Sequence, residues 1–380
     1  MEKLGKFINV RTGKLDANAA DENGQFPFFT CAVQPLRINT ATFDCECVLV
    51  AGNGDLNVKY YNGKFNAYQR TYIIECKDKE ILSPKFLYRF LEKSLRQLRS
   101  QTKGGVIQYL RLNDLTDLKI ILLPIRDQLY ISNILNRAET LLTQRKESIR
   151  LLDEYLKSTF LEMFGDNSKL DQLGNNISYL TSGSRGWAKY YSDKGAKFLR
   201  IQNIGGGVIR TDNIIYVNPP NSAETERTRV IEGDLIISIT ADLGRTSVVP
   251  KNFGEGYINQ HLALIRLNKN INPIYAAYFY NMPFGNNAIQ KKNRSAVKAG
   301  LNFNDIKSFP ILIPPLELQN QFAHIVEKTE TLKAQYQTSL KELENLYQSL
   351  SQKAFKGELN AKYEELLMAA EPQVEYITSK

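Results

Sequence analysis

Histidine, cysteine and long apolar runs are scarce in this chain of 380 residues, and each shortage excludes a class of function. The only two histidines are His261 and His324, so metal centres and catalytic triads that depend on imidazole are nearly excluded. The four cysteines all fall within residues 31–76, where Cys45 and Cys47 form one close pair. Since no second pair stands at the spacing of zinc ligands, we expect free thiols in a reducing compartment.

The sequence also lacks the features of a membrane or secreted protein. No apolar run reaches the roughly 18 residues of a transmembrane helix, and the start, Met1–Gly5, does not resemble a signal peptide. These absences predict a cytoplasmic protein without a membrane partner. The chain has 49 Lys and Arg residues against 40 Asp and Glu residues, and the resulting net charge of +9 favours a polyanionic partner such as nucleic acid.

Motifs for catalysis and nucleotide binding are missing or incomplete. Asn218–Pro220 resembles the Asn-Pro-Pro-aromatic motif that holds the target amine in adenine methyltransferases, but Asn221 stands where the aromatic residue is needed. The glycine clusters at 52–54 and 205–207 are too short for a cofactor loop and open no predicted helix. We therefore expect a protein that has no catalytic residue, metal ion or cofactor of its own.

The most informative feature that is present is an internal repeat. Residues 104–166 align with residues 295–357 at a constant shift of 191 positions, so that Gln128 falls on Gln319. A period this long with only two copies is not a solenoid, and it indicates two similar halves. A protein with two similar halves is suited to a target that also has two halves.

The repeat extends more weakly into the segments that precede it. Tyr68–Arg70 falls on Asn259–His261 at the same shift, and Cys47–Val50 resembles Asp234–Ile237 after a gap of four residues. Each half is thus predicted to be a variable globular part that is followed by a more similar helical part.

Local patterns predict a fold of mixed helices and sheets, in the α+β class. Residues 58–68 contain Asn62 and Gly63, a pair typical of the tight turn of a hairpin. Apolar residues at seven-residue spacing predict a long helix over 127–164, and the repeat predicts a second one. Two such helices, one in each half, are expected to pair as an antiparallel coiled coil.

Domain boundaries are predicted from the prolines at 124 and 314–315, which end the two globular parts. The boundaries are 1–125 for the first globular part, 126–166 for the first long helix, 167–316 for the second globular part, 317–365 for the second long helix and 366–380 for a C-terminal tail.

Polar and basic side chains at the predicted loop tips form the candidate binding surface. Gln, Asn and Arg can hydrogen-bond base edges in pairs, whereas Lys and Arg neutralise phosphates. For any single residue a structural hydrogen bond is the simpler role, so the inference depends on the whole group. The candidate DNA-binding residues are Asn53, Asn57, Lys59, Tyr60, Gln69, Arg70, Arg99 and Lys103 in the first half, and Arg185, Lys189, Arg200, Gln202, Asn203, Arg245, Gln260, His261, Lys291, Lys292, Arg294 and Lys298 in the second.

Together these features resemble the specificity subunit of type I restriction-modification systems, the HsdS family. The resemblance covers nearly all of the chain. It rests on the repeat of domain and helix, on Pro314–Gln319 with its weaker copy Pro124–Gln128, and on Asn66–Arg70 and Ile258–His261. It implies two target-recognition domains of mixed α/β structure in a pseudo-twofold arrangement, separated by two long helices that form an antiparallel coiled coil.

The resemblance further implies a non-catalytic subunit whose two domains each read one half of a bipartite double-stranded DNA site. The expected partners are two modification subunits, which methylate adenine, and restriction subunits, which cleave DNA. S-adenosylmethionine, ATP and Mg are then expected in those partners. Two alternatives stay open beside this hypothesis: a fused adenine methyltransferase with its own recognition domains, and a coiled-coil scaffold that binds no nucleic acid.

Overall fold

The computed structural model describes residues 1–101, 109–165, 169–292 and 300–361. The chain forms two compact units: the first contains Met1–Lys146 with the chain from Thr338 onward, and the second contains Glu147–Gln337. Two long helices span Ile125–Phe164 and Leu316–Lys356. Each of these helices therefore contributes one segment to each unit.

The first unit is built on a six-stranded sheet. In order across the sheet, its strands are Ile8–Thr12, Thr71–Cys76, Phe43–Ala51, Val58–Ala67, Phe26–Phe29 and Leu36–Ile38. The remaining elements are the paired strands Glu2–Lys3 and Lys119–Ile120, the helices Pro84–Gln101 and Leu112–Thr116, and the 3-10 turns Leu4–Lys6 and Ala17–Ala19. Proline suits the first turn of a helix, and the helix that starts at Pro84 buries Phe86, Leu87 and Leu91 against the sheet.

The second unit contains two four-stranded sheets. The first has the strand order Ile177–Ser182, Leu262–Leu267, Leu235–Ser238 and Thr246–Val248, and the second has the order Tyr191–Ser192, Ile215–Val217, Ala196–Leu199 and Gly256–Ile258. Short paired strands lie at Ile204–Gly205 and Val208–Ile209, and at Lys169–Gln172 and Pro310–Ile313. The shorter α-helices are Ala223–Thr228, Pro273–Asn281, Pro283–Gln290 and Phe303–Lys307, and the 3-10 turns are Leu173–Asn176, Trp187–Tyr190 and Ile201–Asn203.

The weak part of the repeat is confirmed in the pairing of the central strands. Val48 lies opposite Ile74 in the first unit, and Leu235 lies opposite Ile265 in the second. These are the positions that the sequence comparison aligns. The two central sheets therefore share strand direction and register, although few of their side chains are identical.

The hairpin turn predicted at Asn62 and Gly63 is wrong. Val58–Ala67 is a single strand that pairs without interruption with Phe43–Ala51. Gly63 lies inside this strand at φ +135°, a conformation that favours glycine. The turn between the two strands instead closes at Asn57, whose carbonyl accepts a hydrogen bond from the end of the preceding strand. The continuous ladder of backbone bonds overrides the local turn signal.

Within each unit, the start of one long helix packs against the end of the other. In the first unit, Ile131 shares a buried cluster with Ala354. In the second unit, the ring of Phe322 lies 5.3 Å from that of Phe160 and 5.5 Å from that of Phe164. Both units therefore contain antiparallel helix segments, as the predicted coiled coil requires.

A buried glutamine connects the globular part of the first unit to its long helix. The Gln128 side chain is fully buried, and its Oε1 accepts a hydrogen bond from the Ser83 amide at 2.9 Å. Its Nε2 donates to the carbonyls of Ile81 and Leu123, both at 2.8 Å. One side chain thus satisfies backbone groups just before the short helix and just before the long helix.

The second unit repeats this arrangement with Gln319, which is also fully buried. Its Oε1 accepts from the Asn272 amide at 2.8 Å, and its Nε2 donates to the carbonyls of Asn270 and Pro314 at 3.2 and 2.8 Å. The identity of Gln128 and Gln319 in the repeat therefore has a physical cause. In both units one glutamine side chain pairs with a backbone amide and two backbone carbonyls at the junction.

We expect Gln319→Ala to lower the free energy of unfolding by about 2–3 kcal/mol, because the substitution removes three hydrogen bonds and leaves the buried Pro314 carbonyl without this partner. Gln321→Ala, which removes an exposed glutamine from the same end of the same helix, is the control and should change it by less than about 0.5 kcal/mol. The measurement is chemical denaturation of the full chain. Equal midpoints for the two variants would contradict this role for Gln319.

Candidate nucleic-acid interface

The turns Tyr68–Arg70 and Asn259–His261 are held by the same backbone bonds in their two units. In the first unit the Tyr68 amide donates to the Phe29 carbonyl at 2.9 Å. In the second unit the Asn259 amide donates to the Leu199 carbonyl at 3.0 Å. Both acceptors end a strand that runs parallel to the strand leading into the turn. The alignment of these two segments in the sequence is therefore also an alignment in structure.

The last residue of each turn is tied to the end of a central strand. In the first unit the Gly52 amide donates to the Arg70 carbonyl at 2.8 Å, and in the second the Ile239 amide donates to the His261 carbonyl at 2.9 Å. Backbone bonds therefore fix both ends of each turn, and in the second turn Asn259 Oδ1 also accepts from the His261 amide at 3.1 Å.

The same strand ends also anchor the chain at Leu110 in the first unit and at Leu301 in the second. The Gly52 carbonyl accepts from the Leu110 amide, and the Ile239 carbonyl accepts from the Leu301 amide, both at 2.9 Å. Next to these bonds lie two matched β-bridges, which join Asn53 to Tyr109 and Thr240 to Gly300. Three stretches of chain thus meet at one place in each unit, which we call the corner. They are the turn, the end of the central strand (Gly52 or Ile239) and the chain at Leu110 or Leu301.

A glycine in each unit allows another strand to approach its turn closely. Gly13 donates to the Thr71 carbonyl at 3.2 Å, and Gly183 donates to the Leu262 carbonyl at 3.1 Å. A Cβ atom at either glycine would collide with the backbone that leads into the turn. The close approach therefore requires glycine at both positions.

In the first unit, the turn borders a cleft of about 560 Å³. Gln69, Arg70, Tyr109 and Arg111 line this cleft, and the described lining includes no carboxylate. The Tyr109 side chain is 57% exposed. An amide, two guanidinium groups and an exposed ring around one opening can hydrogen-bond base edges, neutralise phosphates and stack on a base.

In the second unit, His261 connects two of the side chains at the corner. Its Nδ1 lies 2.6 Å from Thr240 Oγ1, and its Nε2 lies 3.1 Å from the amide nitrogen of Gln260. Because an amide nitrogen only donates, the ring Nε2 accepts in this arrangement and Nδ1–H donates to the threonine. Gln260 and His261 are both half-buried, so the two side chains are held as a pair.

Three of the predicted contact residues have partners within the first unit. The Asn57 amide nitrogen donates to the carbonyls of Cys31 and Asp55, both at 2.8 Å. Lys59 donates to Asn57, and burial lowers the pKa of its amine. Tyr60 donates to Glu46 at 2.6 Å, and burial together with this hydrogen bond raises the pKa of its phenol to about 12. We expect these side chains to support the surface.

Three predicted residues of the second unit are also engaged internally. Asn203 is 1% exposed; its Oδ1 accepts from the Arg200 amide and its Nδ2 donates to the Arg210 carbonyl, both at 3.0 Å. The Arg200 guanidinium donates to the Asn213 carbonyl at 2.9 Å. Arg245 forms an ion pair with Asp242. Arg185, Lys189 and Gln202 are exposed and hence better placed to meet a ligand.

The predicted basic residues at 99–103 and at 291–298 form two basic patches in the sequence, and the structure describes them only in part. Arg99 is exposed and forms an ion pair with Asp55 at 2.8 Å. Lys291 is exposed and Lys292 is half-buried, just after the helix Pro283–Gln290. The predicted residues Lys103, Arg294 and Lys298 lie outside the described residues.

The sequence did not indicate Tyr109, Arg111 or Thr240 as candidates. Each reaches its corner through contacts with residues distant in the chain, as in the bridge from Tyr109 to Asn53. The shift of 191 positions places Tyr109 opposite Gly300, and the gapped alignment places Thr240 opposite Asn53. Tyr109 and Arg111 already lie inside the aligned stretch 104–166, whereas Thr240 would have been reached by extending the gapped alignment by three residues.

A family model described as the type I restriction modification DNA specificity domain matches residues 1–151 and 175–345. The type I restriction enzyme EcoDI specificity subunit of Escherichia coli is 27% identical over 398 residues, which cover 95% of this chain and 88% of that protein.

Two solved structures share the fold. The S subunit of a type I restriction-modification system from M. genitalium aligns with a TM-score of 0.63 and 17% identity over 93% of this chain and 95% of that one. A chain from a study of complex assembly and conformational transition in the type I R-M system aligns with a TM-score of 0.51 and 19% identity, over 94% and 97%. The predicted class, mixed helix and sheet with two long helices, is confirmed.

Neither a membrane-spanning helix nor a metal-binding cluster is found in the described parts of the chain. None of the helices there is long and apolar enough to cross a membrane. In the same residues, no group of three or more His, Cys, Asp or Glu side chains could hold a metal ion.

We expect Asn203→Ala to destabilise the second unit by about 1–3 kcal/mol, because it removes a buried side chain that pairs with the Arg200 amide and the Arg210 carbonyl. Base preference in the folded protein should not change. The exposed neighbour Gln202 provides the matched variant, since Gln202→Ala should leave the unfolding free energy within about 0.5 kcal/mol of the original. Denaturation and DNA-binding measurements on both variants test the distinction. An altered base preference in a stable Asn203→Ala protein would contradict it.

Proposed function

Because this chain belongs to the type I restriction-modification DNA specificity family, we propose that its two units each read one half of a bipartite double-stranded DNA site. The chain is a specificity subunit without catalytic residues of its own. Its long helices set the spacer between the half-sites and dock the methyltransferase subunits. The complex that it directs acts on cytoplasmic DNA.

The observation that carries this proposal is the matched corner in the two units. The same backbone bonds hold Tyr68–Arg70 and Asn259–His261, while most of the side chains around them differ. A common frame with different side chains is suited to reading two different sequences of the same kind of polymer. The net charge of +9 favours DNA, whose phosphates supply most of the non-specific affinity.

The chemistry of the complex is assigned to partner subunits. Two modification subunits would methylate adenine with S-adenosylmethionine, and restriction subunits would use ATP and Mg to cleave DNA. This chain would contribute target choice and assembly. The name of the E. coli relative, a restriction enzyme specificity subunit, supports this division of labour.

Exchanging one unit's recognition elements should change one half of the target. We expect replacement of residues 177–301 by the corresponding part of another specificity subunit to alter one half-site and leave the other intact. This exchange retains Gln319 and both long helices, so the assembly surfaces are unchanged. The measurement is methylation-sensitive sequencing of host DNA. The reciprocal exchange of residues 8–110 is the control and should alter the other half-site; a change in both halves by either exchange would refute separate reading.

The basic patch after the helix Pro283–Gln290 should act on phosphates. We expect Lys291→Ala with Lys292→Ala to weaken binding about equally for cognate and scrambled duplexes. The slope of log affinity against log salt should fall by ~1.8, since each lost phosphate contact removes ~0.9. Lys251→Ala with Lys269→Ala removes the same charge from other exposed sites of this unit and controls for net charge. A selective loss of cognate binding with an unchanged slope would mean that the patch reads bases.

A further inference from the structure

Three side-chain positions at each corner correspond between the two units. The positions are Asn53 with Thr240, Gln69 with Gln260, and Arg70 with His261. We infer that these three positions are the specificity-determining set of each unit, and that the shared glutamine reads the same base pair in both half-sites. This inference rests on the proposed function and deepens it, since it names the residues that select the target.

The backbone frame allows these positions to vary without a cost in folding. The turns are held by amide-to-carbonyl bonds to Phe29 and Gly52 in the first unit, and to Leu199 and Ile239 in the second. Such bonds form whatever the side chains of the turn are. Substitution at the three positions can therefore change what the corner binds while the frame stays the same.

In the first unit, Gln69 and Arg70 are more exposed than the candidates Asn57 and Tyr60. Gln69 and Arg70 are exposed at the rim of the cleft of about 560 Å³, where Arg111 adds a second guanidinium group. Asn57 and Tyr60, in contrast, have partners within the unit. A polar group whose hydrogen bonds are already made gains less from a base edge than an exposed group does. Gln69 and Arg70 are therefore the direct readers of the first set, whereas Asn53, whose Oδ1 accepts from Cys31, contributes as a neighbour of the turn.

The side chains at these positions predict that the two units share a base preference at the glutamine and differ in base preference at the residue that follows it. A glutamine amide forms two hydrogen bonds with adenine N6 and N7, so Gln69 and Gln260 should favour an adenine at matching positions of the half-sites. Arg70 fits guanine O6 and N7. His261 has a shorter side chain that also contacts Thr240 and Gln260, so it cannot read a base in the same way.

His261 acts in addition as a positioning residue for Gln260. Its Nε2 faces the Gln260 amide nitrogen at 3.1 Å, and its Nδ1 is held by Thr240 at 2.6 Å. Because Nε2 of Gln260 faces the imidazole ring, these contacts turn the Oε1 of Gln260 away from it. In the first unit, the residue equivalent to Thr240 is Asn53, whose Oδ1 accepts from Cys31 Sγ at 2.8 Å. Thr240 thus contacts the histidine that faces Gln260, whereas Asn53 contacts a cysteine.

The test is to give the first unit the side chains of the second. Asn53→Thr with Arg70→His retains Gln69 and recreates the second unit's set on the first unit's frame. The assembled complex is used to select binders from duplexes that carry the wild-type bipartite site with either half randomised. We expect the first half-site to change at one or two base pairs and the second half-site to stay the same. An unaltered first half-site, or a loss of preference in both halves, would overturn the inference.

Glutamine substitutions test the shared contact. Gln69→Ala should lower discrimination at one base pair of the first half-site by roughly 5- to 150-fold, and Gln260→Ala should do the same at the matching pair of the second. Gln25→Ala and Gln172→Ala remove exposed glutamines elsewhere in the same units and should leave both half-sites unchanged. The inference of a shared contact would be overturned if the two variants lost discrimination at base pairs that do not match between the half-sites, or if they lost none.

Failure of this inference can be separated from failure of the proposed function. If the wild-type complex selects no bipartite sequence, the proposed function itself is wrong. If it selects one and the exchange in the first unit leaves that sequence unaltered, only the assignment of the three positions is wrong.

Discussion

In each unit, one buried glutamine amide fixes the recognition elements relative to the helix segment beside them. Gln128 and Gln319 each join backbone groups on both sides of that junction. A sliding motion of the globular part would break these hydrogen bonds, at about 1–3 kcal/mol for each group that stays buried. The long helix therefore receives a recognition surface in a defined position, and the surface can change its side chains without changing its placement.

The matched corners show the same division at the proposed binding surface, where some residues fix the backbone and others are available to contact DNA. Gly13 and Gly183 cannot be replaced without moving the backbone that leads into each turn, so they belong to the frame. Gln69 and Arg70 are exposed where they line the cleft, and none of the bonds of the frame uses their side chains. Asn203 has a polar side chain of the type that reads bases, yet its hydrogen bonds close a turn within the second unit. Residue type alone does not distinguish a side chain that contacts a base from one that stabilises the fold. The hydrogen-bond partners of its polar atoms make that distinction.

Much of the fold could be predicted from the sequence because the repeat compares the chain with itself. The alignment of Cys47–Val50 with Asp234–Ile237 anticipated the register of two central sheets. Signals that depend on one short segment were weaker, since Asn62 and Gly63 indicated a turn where a strand runs on. The contact between Thr240 and His261 was not predicted, because no local pattern reports a hydrogen bond between two different loops.

The two units differ in how tightly their shared glutamine is held, and this difference bears on how their specificities can diverge. Gln260 is oriented through His261, so changing that histidine alters a second reader as well as the first. Gln69 is exposed beside Arg70, and each side chain can change with less effect on its neighbour. Coupled readers restrict the combinations of bases that a site can select, whereas independent readers permit them all. Under the proposed assignment, the second unit would therefore be the more constrained reader, and the first unit would be the one in which single substitutions change the target stepwise.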